Sequence, residues 1–160
     1  MLRRITGFHQ DDAGEWVAEL SCLHGQHVRH RPPFQVRPWV LTDAGRRERL
    51  GTDTDCPLCD RAELPEGLHL ARTAGPFDQD TIPAGLRRHH LVTDGRWGCL
   101  RVIEGAIGFV MDAEPAVEVR LGAGESQAIP PGVAHHLVVD GPAVVAVDFL
   151  VRPTPSDQAG

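Results

Sequence analysis

From Gly98 to Val151 the sequence breaks into six short segments, "GCLRVIEG", "AIGFVMD", "AVEVRLG", "ESQAIP", "AHHLVVDG" and "AVVAVDFLV", each bounded by Gly, Pro, Asp or Glu. None is long enough to complete an amphipathic helix, and turn residues recur too often for helices to form between them. Strands at such close spacing predict an all-β sandwich or barrel. The pattern sets in after Glu63, so "RAELPEGLHL" reads as a junction and "RPTPSDQAG" as a flexible tail. The chain divides on this reading into residues 1–62, 63–152 and a tail of 153–160.

The first 62 residues are organised differently. In "EWVAELSC", Trp16, Ala18, Leu20 and Cys22 alternate with Val17, Glu19 and Ser21, the period of a strand with one buried face. "LHGQ" supplies a turn, and "HVRHR" a return strand that Pro32 and Pro33 end, because proline cannot donate to a ladder. "TDAGRRERLG" predicts one or two helical turns, with Thr42 or Asp43 as the cap and Gly51 as the stop.

Four cysteines, Cys22, Cys56, Cys59 and Cys99, occur in a chain whose start, "MLRRITGFHQDD", lacks the apolar core of a secretory signal. The expectation is a cytoplasmic protein with reduced thiols, in which a close pair of cysteines binds metal. In "CPLCD", Cys56 and Cys59 are spaced to reach one tetrahedral ion, and "CLHGQHVRH" offers the other half of a zinc site in Cys22 and a histidine. Cys22-x-His24 brings two side chains to one side of the turn and favours His24, with His27 and His30 as alternatives. A unit of about 60 residues buries little core, so a structural zinc would add folding free energy that burial alone does not provide. The competing readings are plain buried cysteines and a redox CxxC, the latter weakened by the absence of a βαβ pattern.

Charge argues against a polyanion partner. The net charge is -6, and the first 62 residues balance nine Arg against nine acids, whereas the remainder sets seven Arg against thirteen. No basic footprint for nucleic acid exists, and no apolar window approaches a membrane span.

Two resemblances follow from these motifs. "GEWVAELSCLHGQHVRHRPPFQVRPWV" with "LGTDTDCPLCD" resembles a small bacterial family of unknown function marked by Cys-x-His-Gly-Gln-His-Val-Arg-His and a trailing CPxC. The polar run in it leaves room for a binding surface of Gln26, His27, Arg29 and His30, suited to an anion or a protein.

In the second half, Gly124, Pro130, Gly132 and His135 are spaced as in the second motif of the cupin superfamily, with Val139 in place of its final Asn. "LPEGLHLARTAGPFDQDTIPAGLRRHHLVTDGRWGCLRVIEGAI" further resembles the small cupin of bacterial stress-response proteins and of tellurite resistance. The resemblance implies a mainly β chain whose second half is a double-stranded β-helix jelly roll. It implies a divalent metal, zinc or iron, held by His90 and His135, often in a homodimer.

The first cupin motif is incomplete: Val92 replaces its second histidine, and Arg96, Trp97 and Gly98 fall where its carboxylate belongs. Asp148 is the candidate to complete the set, while His89 and His136 face away by strand alternation. Arg88, Trp97 and Arg101 are the guesses for lining side chains. The expected function is binding of a small molecule or oxyanion at a metal, in a stress or tellurite-type role. The alternative is a small cupin oxygenase or isomerase built on His90, His135 and Asp148.

Overall fold

The computed structural model describes residues 1–153; of the expected 153–160 tail, residues 154–160 lie outside the described residues. The chain forms two compact units that meet in sequence between Arg61 and Ala62.

The N-terminal unit is a four-stranded antiparallel sheet. Its strands are β1 (Leu2–Gln10), β2 (Trp16–Leu20), β3 (Gly25–His27) and β4 (Asp53–Asp55). A β2–β3 hairpin forms as expected, but its return strand is Gly25–His27 rather than "HVRHR", so the turn comes before Gly25 and the strand takes in Gly25 and Gln26, which were expected in the turn. β1 pairs with β2 on one side and β4 on the other, Ile5 opposite Leu20 and Leu2 opposite Asp55.

Helix α1 (Asp43–Arg49) follows a short 3-10 turn, and the Thr42 hydroxyl caps it by accepting from the Gly45 amide at 3.1 Å. Gly45 is required there, because a Cβ would lie 2.3 Å from the Trp39 carbonyl oxygen. The Arg46 guanidinium lies 3.6 Å above the Trp16 ring and donates to the Val40 carbonyl. One charged side chain thus ties α1 to the sheet. Helix α2 (Pro57–Asp60) is a single turn begun by Cys56.

The C-terminal unit contains β5 (His69–Asp78), β6 (Arg96–Met111), β7 (Val117–Gly122), β8 (Ser126–Ile129), β9 (His135–Val138) and β10 (Ala143–Val151). The two segments expected on either side of Gly105 are one strand of 16 residues. Its first half pairs with β10 and β8, and its second half with β7 and β9, so β6 belongs to both layers of the jelly roll.

The bend comes at Gly105, whose φ of +71° favours glycine, and whose missing Cβ would lie 2.0 Å from the Pro142 carbonyl oxygen. Just before it, Glu104 pairs with Val144 but Val102 pairs with Val145, leaving one extra residue on β6. A bulge of this kind reverses which residues face inward. Leu100 and Val102 are buried before it, and Ile107, Phe109 and Met111 after it. These side chains, with Ile129, Leu137, Val145 and Val147, form the core. Among the described residues, no helix is long and apolar enough to cross a membrane.

Candidate metal centre

β1 is what assembles the first site. By pairing with β2 and β4 at once, it sets the turn after β2 beside the turn after β4. The first turn carries Cys22 and His24 around Leu23, whose φ of +71° is left-handed. That conformation costs a residue with a Cβ roughly 1–2 kcal/mol. The second turn carries Cys56, whose amide donates to the Met1 carbonyl at 2.8 Å, and Cys59, whose amide donates to the Cys56 carbonyl at 3.1 Å.

The ligand atoms of Cys22, His24, Cys56 and Cys59 all lie within 4.8 Å of one another, and all four residues are buried. His24 Nδ1 is 3.5 Å from Cys22 Sγ, 3.5 Å from Cys56 Sγ and 3.7 Å from Cys59 Sγ. Cys22 Sγ and Cys56 Sγ are 3.9 Å apart. A tetrahedral zinc with ordinary bond lengths requires S···N separations of about 3.6 Å and S···S separations of about 3.75 Å. The donor set and its spacing therefore fit such an ion closely, and the cluster can hold a metal.

Electrostatics agree with that fit. A hydrogen bond from Cys59 holds the Cys22 thiol down at about 5. The same bond pushes Cys59 upward, and burial raises Cys56. The cluster concentrates sulfur in a buried space where further thiolates are unfavourable without a cation.

The structure brings His24 to the thiols, not His27 or His30. His27 Nε2 is 2.9 Å from Asp11 Oδ2, and His30 Nδ1 accepts from the Arg37 amide at 2.9 Å. Asp11, Glu15 and His27 also lie close together. Both Glu15 oxygens are occupied, by Arg29 at 2.5 and 2.8 Å and by Arg31 at 2.5 Å. The binding surface expected from Gln26, His27, Arg29 and His30 is thus largely engaged in internal pairs.

The second site lies inside the C-terminal unit. His90 and His135 exchange two backbone hydrogen bonds of 2.9 Å, and their rings meet edge to face with centroids 5.4 Å apart. The turn through Pro130 and Gly132 is pinned by the Gly132 amide donating to the Val92 carbonyl at 2.8 Å. His135 is 2% exposed and stacks on Phe109. Its Nδ1 lies 3.0 Å from the Val133 carbonyl oxygen, and since a carbonyl only accepts, Nδ1 carries the proton. Nε2 is then the nitrogen with a free lone pair. Burial lowers the His135 pKa and favours this neutral form.

The two histidines line a cavity of about 20 Å³ otherwise walled by apolar side chains, among them Val92, Leu100, Val147 and Phe149. Such a space holds about one water or ion. As a resident divalent site it is incomplete, with two imidazoles and no carboxylate where three or four protein ligands are usual.

Asp148 does not complete it. Val147 pairs with Leu100 and Phe149 with Gly98 on the inner face, so Asp148, between them, points to the opposite face. There its carboxylate takes the Arg101 guanidinium at 2.6 and 3.1 Å and the Thr73 hydroxyl at 2.6 Å. The Arg101 hydrogen bond keeps its pKa below the ordinary carboxylate range. Trp97 and Arg101 alternate with the inward Gly98 and Leu100, and it is Leu86 rather than Arg88 that lines the cavity. His89 bonds Asp112 at 2.6 Å and lies against His136, away from the cavity.

Two family models match the chain, one over most of each unit. Residues 6–63 match the model of a family described as a protein of unknown function (DUF3565), and residues 72–147 match that of the TehB-like domain. No curated protein matches the sequence. A protein of known structure from Escherichia coli strain K12 is 23% identical with a TM-score of 0.52, over 57% of this chain and 98% of that one. TehB from Haemophilus influenzae is 17% identical with a TM-score of 0.49, over 54% of this chain and 32% of that one. A cupin protein from Bacteroides fragilis is 15% identical with a TM-score of 0.30, over 55% of this chain and 63% of that one. At such identities the Escherichia coli likeness is one of fold alone. The first unit is thus similar to the DUF3565 family over residues 6–63, and the second to the TehB-like domain over residues 72–147.

Proposed function

We propose that this chain is a metal-binding accessory protein in which zinc holds the N-terminal unit together and the cupin pocket captures a small ligand or oxyanion. The observation that carries the proposal is the buried Cys22, His24, Cys56 and Cys59 cluster, whose separations match tetrahedral zinc. All four ligand positions are filled by protein, which suits a structural ion rather than a catalytic one.

In the cupin unit, His90 and His135 are the polar groups facing the cavity, and both imidazoles are placed to meet a ligand or a divalent ion, zinc or iron, that the ligand completes. The TehB-like match supports a place in tellurite-type resistance or a related stress response. The protein would act in the cytoplasm on small molecules, without nucleic acid or membrane as partner, and as a homodimer through its cupin unit. A two-histidine, one-carboxylate oxygenase loses its basis, because Asp148 is turned outward onto Arg101.

The test is elemental analysis by inductively coupled plasma mass spectrometry on untagged protein purified without added metal, for wild type, Cys56→Ser and His135→Ala. One zinc that disappears only in Cys56→Ser supports the structural site. A second metal lost only in His135→Ala supports a metal in the barrel, and its absence leaves the histidines to contact the ligand directly. Zinc retained in Cys56→Ser would refute the proposal.

A further inference from the structure

We propose that the N-terminal unit carries a second binding site, independent of the zinc cluster, for a small carboxylate monoanion with an apolar body. The site is a cavity of about 260 Å³ on one face of the four-stranded sheet. Its floor is apolar and buried: Ile5 from β1, Ala18 from β2 and Val28 just after β3. Ala18 pairs directly with Gln26 across the sheet, so the Gln26 amide rises from the same face at the edge of that floor.

Two guanidinium groups line the same cavity. Arg29, Arg31 and Arg46 in this unit each pair with a carboxylate. Arg37 and Arg49 make no ion pair among the described residues, and both are exposed. Arg49 is held instead over the Trp39 ring, 5.0 Å from its centroid. Arg37 is anchored through its backbone, which donates to His30 Nδ1.

Asp53 is the single carboxylate in the lining and pairs with neither arginine. Two arginines against one aspartate leave the lining at a net +1, which matches a monoanion better than a phosphate dianion. Guanidinium and carboxylate are complementary, offering two parallel hydrogen bonds. A buried aliphatic floor gives nothing to a bare hydrated oxyanion but accepts one flat ring or short chain. Cavity, floor and charge together describe an amphipathic monoanion, with its carboxylate toward Arg37 and Arg49.

The probes are benzoate, the neutral isostere benzamide, and inorganic phosphate, titrated by ligand-observed NMR into the full chain and into the Arg37→Gln/Arg49→Gln variant. Both substitutions are at exposed positions, and an unchanged circular dichroism spectrum and zinc content establish that the variant is folded. The expected result is saturable benzoate binding, weaker by about tenfold or more in the double variant, with benzamide and phosphate weaker than benzoate by a similar factor. The proposal is overturned by any of four results: no benzoate saturation up to about 20 mM, equal binding of benzamide, phosphate binding tighter than benzoate, or benzoate binding unchanged in the double variant.

Discussion

Replacing Cys56 with serine leaves the shape of the second turn almost intact while removing one of four converging ligand atoms. Cys56 is 2% exposed and its sulfur lies 3.5 Å from His24 Nδ1, so water has little room to replace it without moving the turn. Zinc binds to small Cys/His modules with apparent free energies of about 10–16 kcal/mol, so an equal share per ligand is about 2.5–4 kcal/mol. A core of this size supplies no more than about 3–5 kcal/mol of net stability. The two quantities are of the same order. Zinc affinity should therefore fall by about a hundredfold or more, and the melting temperature of the N-terminal unit by roughly 10–30 °C. Chelator competition measures the first and differential scanning calorimetry the second, with the C-terminal transition as internal control. If Cys56→Ser keeps its zinc through dialysis and melts with the wild type, the cluster is not a metal site that holds the fold. The same experiment on His27→Ala and His30→Ala should show wild-type zinc content, and a loss in either would mean that His24 is the wrong fourth ligand.

Four further outcomes are expected. His135→Ala should remove whatever the barrel pocket holds while the C-terminal unit stays folded, as read by ligand or metal content beside circular dichroism. In metal-free protein, burial holds the His135 pKa below its ordinary 6.5, so the unfolded chain takes up a proton first as pH falls. Stability is then full above about 6.5 and declines below it toward the folded pKa, with a slope of up to about 1.4 kcal/mol per pH unit. Urea unfolding at pH 7.5 and 5.5 should show this slope reduced in His135→Gln, and equal slopes would refute the assignment. Asp148→Asn should cost less than about 1 kcal/mol, since its partner Arg101 is well exposed, and should leave metal content unchanged. Gly105→Ala should destabilise the C-terminal unit by about 3 kcal/mol or more in chemical denaturation, because a Cβ there meets the Pro142 carbonyl and the backbone is left-handed.

What the sequence could reveal followed from how strongly each segment's pattern is tied to burial. β7 through β10 alternate or run apolar, and were legible, as were β2 and the Thr42 cap. β1 was not, because Arg3, itself 9% exposed, occupies an inward position two residues before Ile5, and Gly7 follows two residues after it. A polar side chain on the buried face erases the signal that alternation depends on. β5 was missed for the opposite reason: at the edge of its sheet it buries no residue fully and carries no apolar face to read. The Cys22, His24, Cys56 and Cys59 cluster was legible from cysteine spacing because ligand chemistry is local. The place of Asp148 was not, because the bulge at β6 and the register of β10 decide it, and both arise from pairing partners far away in the chain.

The continuity of β6 has a consequence for how the C-terminal unit comes apart. A jelly roll whose layers were built from separate strands could lose one layer and keep the other. Here a single chain segment lies in both layers, bonded to β10 and β8 before Gly105 and to β7 and β9 after it. Opening either layer frees half of the same strand and takes support from the other half. The unit should behave as one cooperative foldon, with the amides of β6 among the slowest to exchange with solvent on both sides of its bend. The histidine pocket takes walls from both halves of that assembly, with Leu100 from β6, Val147 and Phe149 from β10 and Leu137 from β9, so its shape depends on both layers at once.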